Sequence, residues 1–488
     1  MRRRPLILVS SLCLAIVGCG GADDESPTSG DLYEAPVAEA VVTPYSWKRT
    51  LADGDDAGFQ TAMTIGSDGN PKLAYLAYVG DYTWDPPSAP IKMASSDVDT
   101  DPAALSLPDD WEDKHPDPVF ELRYAQWSGS NWRVESLAKV HMARGLSILE
   151  TSDGEVVISF VDTDRGTGPE RCQKSHLKAA VRSGGNWRFT KLDQSNISVD
   201  DLEPADLICE SVGGWSSIAE GTQGKIGVAY RKATYDFEID MNADSEQLFM
   251  EFTINSSGSA VPGVPEVVHD GLTTGLYGEL IYASVDGSNL RPRLVYLDMD
   301  QTEDLNNDAG LWYASRGNGG WTRTEIQPLQ NWLSGPNIQF LADGDTLYVM
   351  SYIWVSDMSN AKMDLVLLAS TDDGLTWQEQ YLEHEGRAGA FPSMAMTADG
   401  RLAVSYYQCG MRGDFTCDPE NDGLMFSVRD STSHVWDTYT ITNDFEQIDG
   451  WHTALGFNGN SPVVAGRQMN RVGPGNGQAL SVFFGELD

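Results

Sequence analysis

Ser370-Thr371-Asp372-Asp373-Gly374-Leu375-Thr376-Trp377, with the short run on to Leu382, is the most regular unit of this 488-residue chain. It reads as a tight turn between two strands. Ser and Asp side chains hydrogen-bond such a turn's own amides, and Gly374 supplies a positive φ that other residues reach only with strain. Trp377 then returns as a large apolar anchor, expected between neighbouring sheets.

Working outward, three recurrences appear. Seven turns share one form: Asp68-Gly69, Asp153-Gly154, Gln223-Gly224, Asp286-Gly287, Asp343-Gly344, Asp399-Gly400 and Asn458-Gly459. Asp-Gly and Asn-Gly favour hairpins because both central residues tolerate positive φ. Short β-branched and aromatic runs follow them, as in Lys72–Tyr78, Lys225–Tyr230 and Arg401–Tyr406. Ahead of the turns stand Gly58–Ala62, Gly214–Ile218, Ala390–Met394 and Gly450–Ala454, whose small residues suit innermost strands crowded toward an axis. Each unit closes on a Trp followed five residues later by Leu or Ile, led by Trp132, Trp187, Trp321, Trp377 and Trp436; the unit from Trp215 to Val268 lacks that Trp. Four strand-like runs every 55 to 85 residues or so read as propeller blades. The seventh unit stops before its Trp-led strand, and Trp47–Leu51 supplies one at the start. The expectation is an all-β, seven-bladed β-propeller, its ring closed by an N-terminal strand completing the last blade and leaving no open seam.

The spacing S-x-D-x-G-x-x-W resembles the Asp-box of sialidase-like β-propellers. In that family the motif is structural and occurs in many non-enzymes; its sialidases have six blades, so the count separates this chain from them. The resemblance implies one enzymatic alternative, an exo-glycosidase gripping a substrate carboxylate with three arginines beside a Tyr–Glu nucleophile pair and an Asp acid. The family's Arg-(Ile/Leu)-Pro signature near the first strand is absent, and its positions do not map residue by residue. Arg144, Arg231, Arg412 and Arg467 are the arginines that can fall on the ligand face, and Tyr230 and Tyr406 end second strands. A glycosidase in general needs two carboxylates at fixed separation.

The first residues form a separate region. Arg2-Arg3-Arg4 precedes an apolar run, Leu6 to Val17, too short to span a bilayer, and Ile16-Val17-Gly18-Cys19 resembles the lipobox of bacterial lipoproteins. That resemblance implies a signal peptide over 1–18 and lipids on Cys19. Residues 19–39 are acidic and rich in Gly, Ser and Pro, a tether that cannot bury a core, leaving 40–488 for the propeller. Gly20 after the lipid cysteine resembles lipoproteins sent to the outer membrane. Replacing Cys19 with Ser is expected to move the protein from the membrane fraction to the soluble one with its fold intact; unchanged membrane retention would reject lipidation there.

The balance of 72 acidic against 33 basic residues, a formal charge of −39, argues against nucleic-acid binding, which needs clustered Lys and Arg. Cys172, Cys209, Cys409 and Cys417 remain for the oxidising compartment; the expected disulfides are Cys409–Cys417 and Cys172–Cys209, with a metal site as the alternative. Asp240-Met-Asn242-Ala-Asp244 and Asp304-Leu-Asn306-Asn-Asp308 alternate oxygens as a Ca²⁺ loop does, without the EF-hand's glycine or bidentate Glu; solvated acidic loops are the other reading. The ligand face is expected where second-to-third-strand loops, including the insertion Gly80–Pro118, meet the starts of the first strands. Trp215, Phe391, Trp451 and His452 then stand near the mouth of the axis, unless they are buried between blades. The resulting expectation is a lipid-anchored recognition or scaffold protein for a glycan, a peptide or an envelope partner.

Overall fold

The computed structural model describes residues 45–79, 120–140, 145–164, 174–195, 208–236, 241–271, 273–284, 290–299, 310–328, 332–334, 338–355, 362–383, 387–409, 423–443, 447–470 and 478–487. All regular structure among them is β. The first strand, β1 (Tyr45–Asp53), belongs to the last blade. Blade 1 holds β2 (Ala57–Ile65), β3 (Pro71–Tyr78), β4 (Phe120–Trp127) and β5 (Trp132–Val140); blade 2 holds β6 (Leu146–Glu150), β7 (Val156–Asp164), β8 (Lys174–Ser183) and β9 (Asn186–Gln194). Blade 3 comprises β10 (Ile208–Glu220), β11 (Lys225–Asp236), β12 (Met241–Ile254) and an outer edge split into β13 (Ala260–Pro262) and β14 (Glu266–Gly271). Blade 4 holds β15 (Thr274–Ala283), β16 (Arg291–Asp298), β17 (Gly310–Gly317) and β18 (Gly320–Pro328). Blade 5 follows with β19 (Trp332–Ser334), β20 (Gln339–Asp343), β21 (Thr346–Val355), β22 (Lys362–Ser370) and β23 (Gln378–Glu383). Blade 6 has β24 (Arg387–Met396), β25 (Leu402–Cys409), β26 (Gly423–Arg429) and β27 (Trp436–Thr442); blade 7 has β28 (Gln447–Asn458), β29 (Ser461–Asn470), β30 (Gln478–Leu487) and β1.

The seven-bladed propeller expected from the repeats is formed. Closure is as the last unit implies: β1 runs antiparallel to β30, from Tyr45 opposite Leu487 to Asp53 opposite Leu480. The core is divided among the blade interfaces. Seven apolar clusters each draw on two neighbouring sheets, the last joining Val463 and Leu480 of blade 7 to Leu73 and Tyr75 of blade 1. Second strands are covered on both faces, so β3 is buried at all eight positions instead of alternating.

The glycines of the described Asp-Gly-type turns take φ between 55° and 81° (Gly344 and Gly154 at the extremes), as a hairpin demands; Asp286-Gly287 lies outside the described residues. Two of these turns also tie blades together. Ser67 donates its amide (3.0 Å) and hydroxyl (2.7 Å) to Glu150 of blade 2, and Ser152 does the same to Glu220 of blade 3 (2.8 and 2.7 Å).

The Ser370–Trp377 turn forms as its residues imply. Gly374 N donates to Ser370 Oγ (2.9 Å), Thr376 N to Asp372 Oδ1 (2.9 Å), and Trp377 Nε1 to Gly374 O (3.2 Å). The Thr376 hydroxyl and amide, then the Ser370 hydroxyl, donate to the Asp372 carboxyl and hold it below its ordinary range. Trp377 packs on the cluster between blades 4 and 5, 5.8 Å from the Tyr313 ring. Gly374 has a second role beyond its φ of 79°: a Cβ there would lie 2.3 Å from the same Tyr313 ring. Gly374→Ala therefore adds left-handed strain to a clash that Tyr313, itself 2% exposed, cannot relieve. A loss of about 2 kcal/mol is expected in denaturant unfolding; a change below about 0.5 kcal/mol would show that the turn yields.

The Trp-less unit corresponds to the split edge of blade 3. Pro262 and Pro265 have no amide to donate to a ladder, and Val264 stands 82% exposed between the two fragments.

Candidate functional site

The starts of the innermost strands share a local deformation that builds the axis. In blades 1, 3, 4, 6 and 7 the first strand takes five residue steps where its neighbour takes three. Asp449 to Ala454 thus lies opposite Gln468 to Ala465, and Thr274 to Glu279 opposite Asp298 to Val295. Each bulge begins at a glycine with φ near +90°, such as Gly213 (102°), Gly389 (93°) and Gly450 (107°). A Cβ on Gly389 would come within 2.7 Å of Leu365 in the preceding blade, so only glycine fits. Two residues further on, four blades hold a bulky residue in the left-handed region: Trp215 (55°), Tyr277 (53°), Phe391 (53°) and His452 (52°). Such φ values are outliers for large side chains, and here tertiary packing imposes them four times over.

These four residues line a cavity of about 230 Å³ on the propeller axis, bounded by the innermost segments of all seven blades. That volume is below the 300–1,000 Å³ or so of drug-sized ligand sites and suits a small polar ligand or several waters. The aromatic rings meet in pairs from adjacent blades: Trp215 with Tyr277 (centroids 4.2 Å, planes 46° apart) and Phe391 with His452 (4.6 Å).

Around the cavity runs a set of side-chain to backbone bonds between blades. Ser147 Oγ accepts from Ile218 N (3.2 Å), Ser217 Oγ from Leu280 N (3.1 Å), Gln339 Oε1 from Met394 N (3.1 Å) and Ser393 Oγ from Leu455 N (2.9 Å). Glu279 occupies the bulge position of Ser217 and Ser393 in blade 4, yet its bond runs back to Ser217, whose hydroxyl donates to Oε2 at 2.9 Å. Glu279 is part-exposed and lines the cavity. Burial pushes its carboxyl up to about 7, only partly opposed by the Ser217 bond. It is the one acid among the described cavity-lining residues. His452 goes the other way: burial, then the charge of Arg467, lower it to about 3, so its ring is neutral at physiological pH.

No family model matches the chain, and no curated protein matches it by sequence. Solved structures do resemble its fold. An α-L-arabinofuranosidase from Fusarium graminearum aligns at 10% identity and TM-score 0.42, over 89% of this chain and 96% of that one. The endosialidase of phage phi92 aligns at 9% identity and TM-score 0.44 (91% and 69%), and an ulvan lyase at 10% and 0.41 (79% of each). The fold assignment rests on the strand order described above; at these values the likeness carries no argument about activity.

Of the residues singled out from sequence, Trp215, Phe391 and His452 come together on the axis. Trp451 does not line the cavity. The strand register makes His452, not Trp451, the counterpart of Trp215 and Phe391, and Trp451 packs against Phe391 at 5.4 Å. Arg231 and Arg467 are also register counterparts, and both turn into blade interfaces. Arg231 Nε donates to Thr274 O of blade 4 (2.9 Å). Arg467, 3% exposed, stacks 3.7 Å over Phe59 of blade 1 and donates to Gln478; burial draws it down to about 9, with Asp56 opposing. Tyr230 and Tyr406 are fully buried, and Tyr230 donates to Asp193 of blade 2 (2.6 Å). Neither lines the cavity, so the arginines and tyrosines that the sialidase resemblance brought forward are not assembled there among the described residues.

Arg144 and Arg412 lie outside the described residues, as do Asp240, Asp304, Asn306, Asp308, Cys19, Cys172, Cys417 and the insertion Gly80–Pro118. Asn242 and Asp244 lie in β12, opposite Tyr235 and Thr234 of β11, with a shift of register between them. Asp244 is raised by burial and then by the neighbouring Asp270. Among the described residues no group of three or more His, Cys, Asp or Glu is placed to hold a metal ion. Cys209 and Cys409 are placed by backbone only, in β10 and β25.

Tyr277 and Glu279 were not singled out by the sequence reading. The usable signal was Gly275-Leu-Tyr-Gly-Glu279, which aligns glycine on glycine with Gly450-Trp-His-Thr-Ala454 once the bulge is known.

Proposed function

We propose that this chain is a recognition protein, held at a bacterial envelope by lipid on Cys19, that takes up a small polar ligand, in the first instance a glycan, at the axial cavity. One observation carries the reading: aromatic faces and a single desolvated carboxylate converge on the axis, while Arg231 and Arg467 are tied into blade interfaces. Aromatic surface with a few placed polar groups is the usual make-up of a small-ligand site. The exo-glycosidase reading finds support in Tyr277 and Glu279 lining the same cavity, but hydrolysis by the general route takes two carboxylates and the described residues of this cavity offer one.

The test is capture on a panel of glycans and envelope-derived fragments by the full chain, its Trp215→Ala and His452→Ala variants, and a variant trimmed of Gly80–Pro118. Capture lost in an axial variant that still melts cooperatively supports the reading. Capture unchanged by both axial substitutions overturns it. Turnover of aryl glycosides that disappears in Glu279→Gln would instead favour the hydrolase.

A further inference from the structure

We infer that the Glu279 side of the axial cavity binds a small organic ammonium group, a protonated or quaternary amine. The inference rests on the axial site proposed above and names the chemistry it selects.

Three observations lead to it. Among the described residues Glu279 makes one hydrogen bond, to Ser217 through Oε2, and no Lys or Arg lines the cavity with it. Where Ser217 and Ser393 at this bulge position each accept an amide of the following blade, Glu279 accepts from Ser217 of the preceding one, and among the described residues it makes no bond to the following blade. A desolvated acid with no cation is satisfied either by a proton or by a positively charged ligand. Among the described residues the other titratable side chains lining the cavity are Tyr277 and the neutral His452, and neither offsets it.

The rings of Trp215 and Tyr277 line the same cavity, Tyr277 two residues from Glu279. An aromatic face attracts a cation within about 6 Å of its centroid, most strongly when water is excluded. Two such rings with one carboxylate match a bulky, weakly hydrated organic cation. Ca²⁺ or Mg²⁺ needs about six or more oxygen ligands and is poorly served. An anion would meet Glu279 and a chain of formal charge −39. The two rings pack on each other with centroids 4.2 Å apart, so each is already restrained before a ligand enters.

The experiment is calorimetric titration of the full chain at pH 8 with two pairs of probes. Choline is compared with its neutral carbon analogue 3,3-dimethyl-1-butanol, and glucosamine with N-acetylglucosamine. The amines are expected to bind at least tenfold more tightly than their neutral partners, and whichever pair shows the larger preference distinguishes a quaternary amine from a sugar-borne one. Glu279→Gln should abolish the preference, Glu279→Asp should keep part of it, and Trp215→Leu should weaken choline at least fivefold. Equal binding of amine and neutral partner, a preference retained in Glu279→Gln, or no binding of either amine overturns the inference. Glycan capture that is lost in Trp215→Ala while the amines show no preference would leave the axial recognition reading standing and this one refuted.

Discussion

A variant lacking Tyr45–Asp53 is expected to lose the folded ring, not merely one strand. β1 covers the β30 edge along its length, and its Tyr45 (5% exposed) packs 5.4 Å from both Phe426 and Tyr439 of blade 6. The strand's far end is bolted to blade 1. Asp53 accepts from Arg123 Nη1 (2.9 Å) and from Tyr75 OH (2.7 Å), and Thr50 Oγ1 accepts from Trp132 Nε1 (3.1 Å). Removing Asp53 would leave Arg123, whose side chain is 10% exposed, with only Glu121 and the exposed Asp55 as partners. Loss of a partner from a buried ion pair costs about 3–5 kcal/mol, and losing the buried Tyr45 adds about 1.5–3 kcal/mol. The sum rivals the whole stability of a typical domain, about 5–15 kcal/mol. Denaturant unfolding and size-exclusion profiles should show an unfolded or aggregated chain. Because Tyr45 lies opposite Leu487, re-attaching Tyr45–Asp53 behind Leu487 through a short turn should restore the fold. A truncated chain that remains monomeric and cooperative would show that the ring is held elsewhere.

The second large effect concerns pH. The Glu279 carboxyl titrates at about 7 in the folded protein against an ordinary 4.5, so the folded state holds that proton more tightly than the unfolded one. Its contribution to stability is therefore intact below about pH 4.5, declines as pH rises through 7, and is a full penalty above. The shift corresponds to about 3 kcal/mol at most, an upper value because cavity water solvates the charge. Glu279→Gln should be more stable than the wild type at pH 8 and equal to it near pH 4.5. His452, lowered to about 3, gives the opposite slope, losing stability as pH falls from about 6.5 toward 3, so in the wild-type curve the two slopes oppose each other between about pH 4.5 and 6.5. The difference between wild type and Glu279→Gln isolates the acid. A difference that does not grow between pH 5 and pH 8 would mean that Glu279 is solvated like a surface carboxylate.

Much of the architecture could be read from local chemistry. The Ser370–Trp377 turn bonds within four residues of itself, so its geometry is encoded where it occurs. The hairpin glycines need only their own φ, and the Trp anchors recur because each blade has to cover its neighbour. The displaced first strand was legible because the last unit ended one strand short.

What the residues alone left undecided lies between blades. The recurring stretches Gly214–Ile218 and Gly450–Ala454 look alike by residue type, but the bulge register shifts them by one, putting His452 on the axis and Trp451 behind it. Arg467 could equally have faced a ligand; only the approach of Phe59, more than 400 positions away in the chain, turns it inward. Glu279 is one acid among 72 until Ser217 and the surrounding blades remove its water. Sequence thus determined the repeat, the turns and the closure, all set by contacts a few residues long or by the count of strands. Tertiary structure decided which side chains reach the axis and how they ionise, because desolvation and charge at that point are summed over seven blades that meet only when the ring is complete.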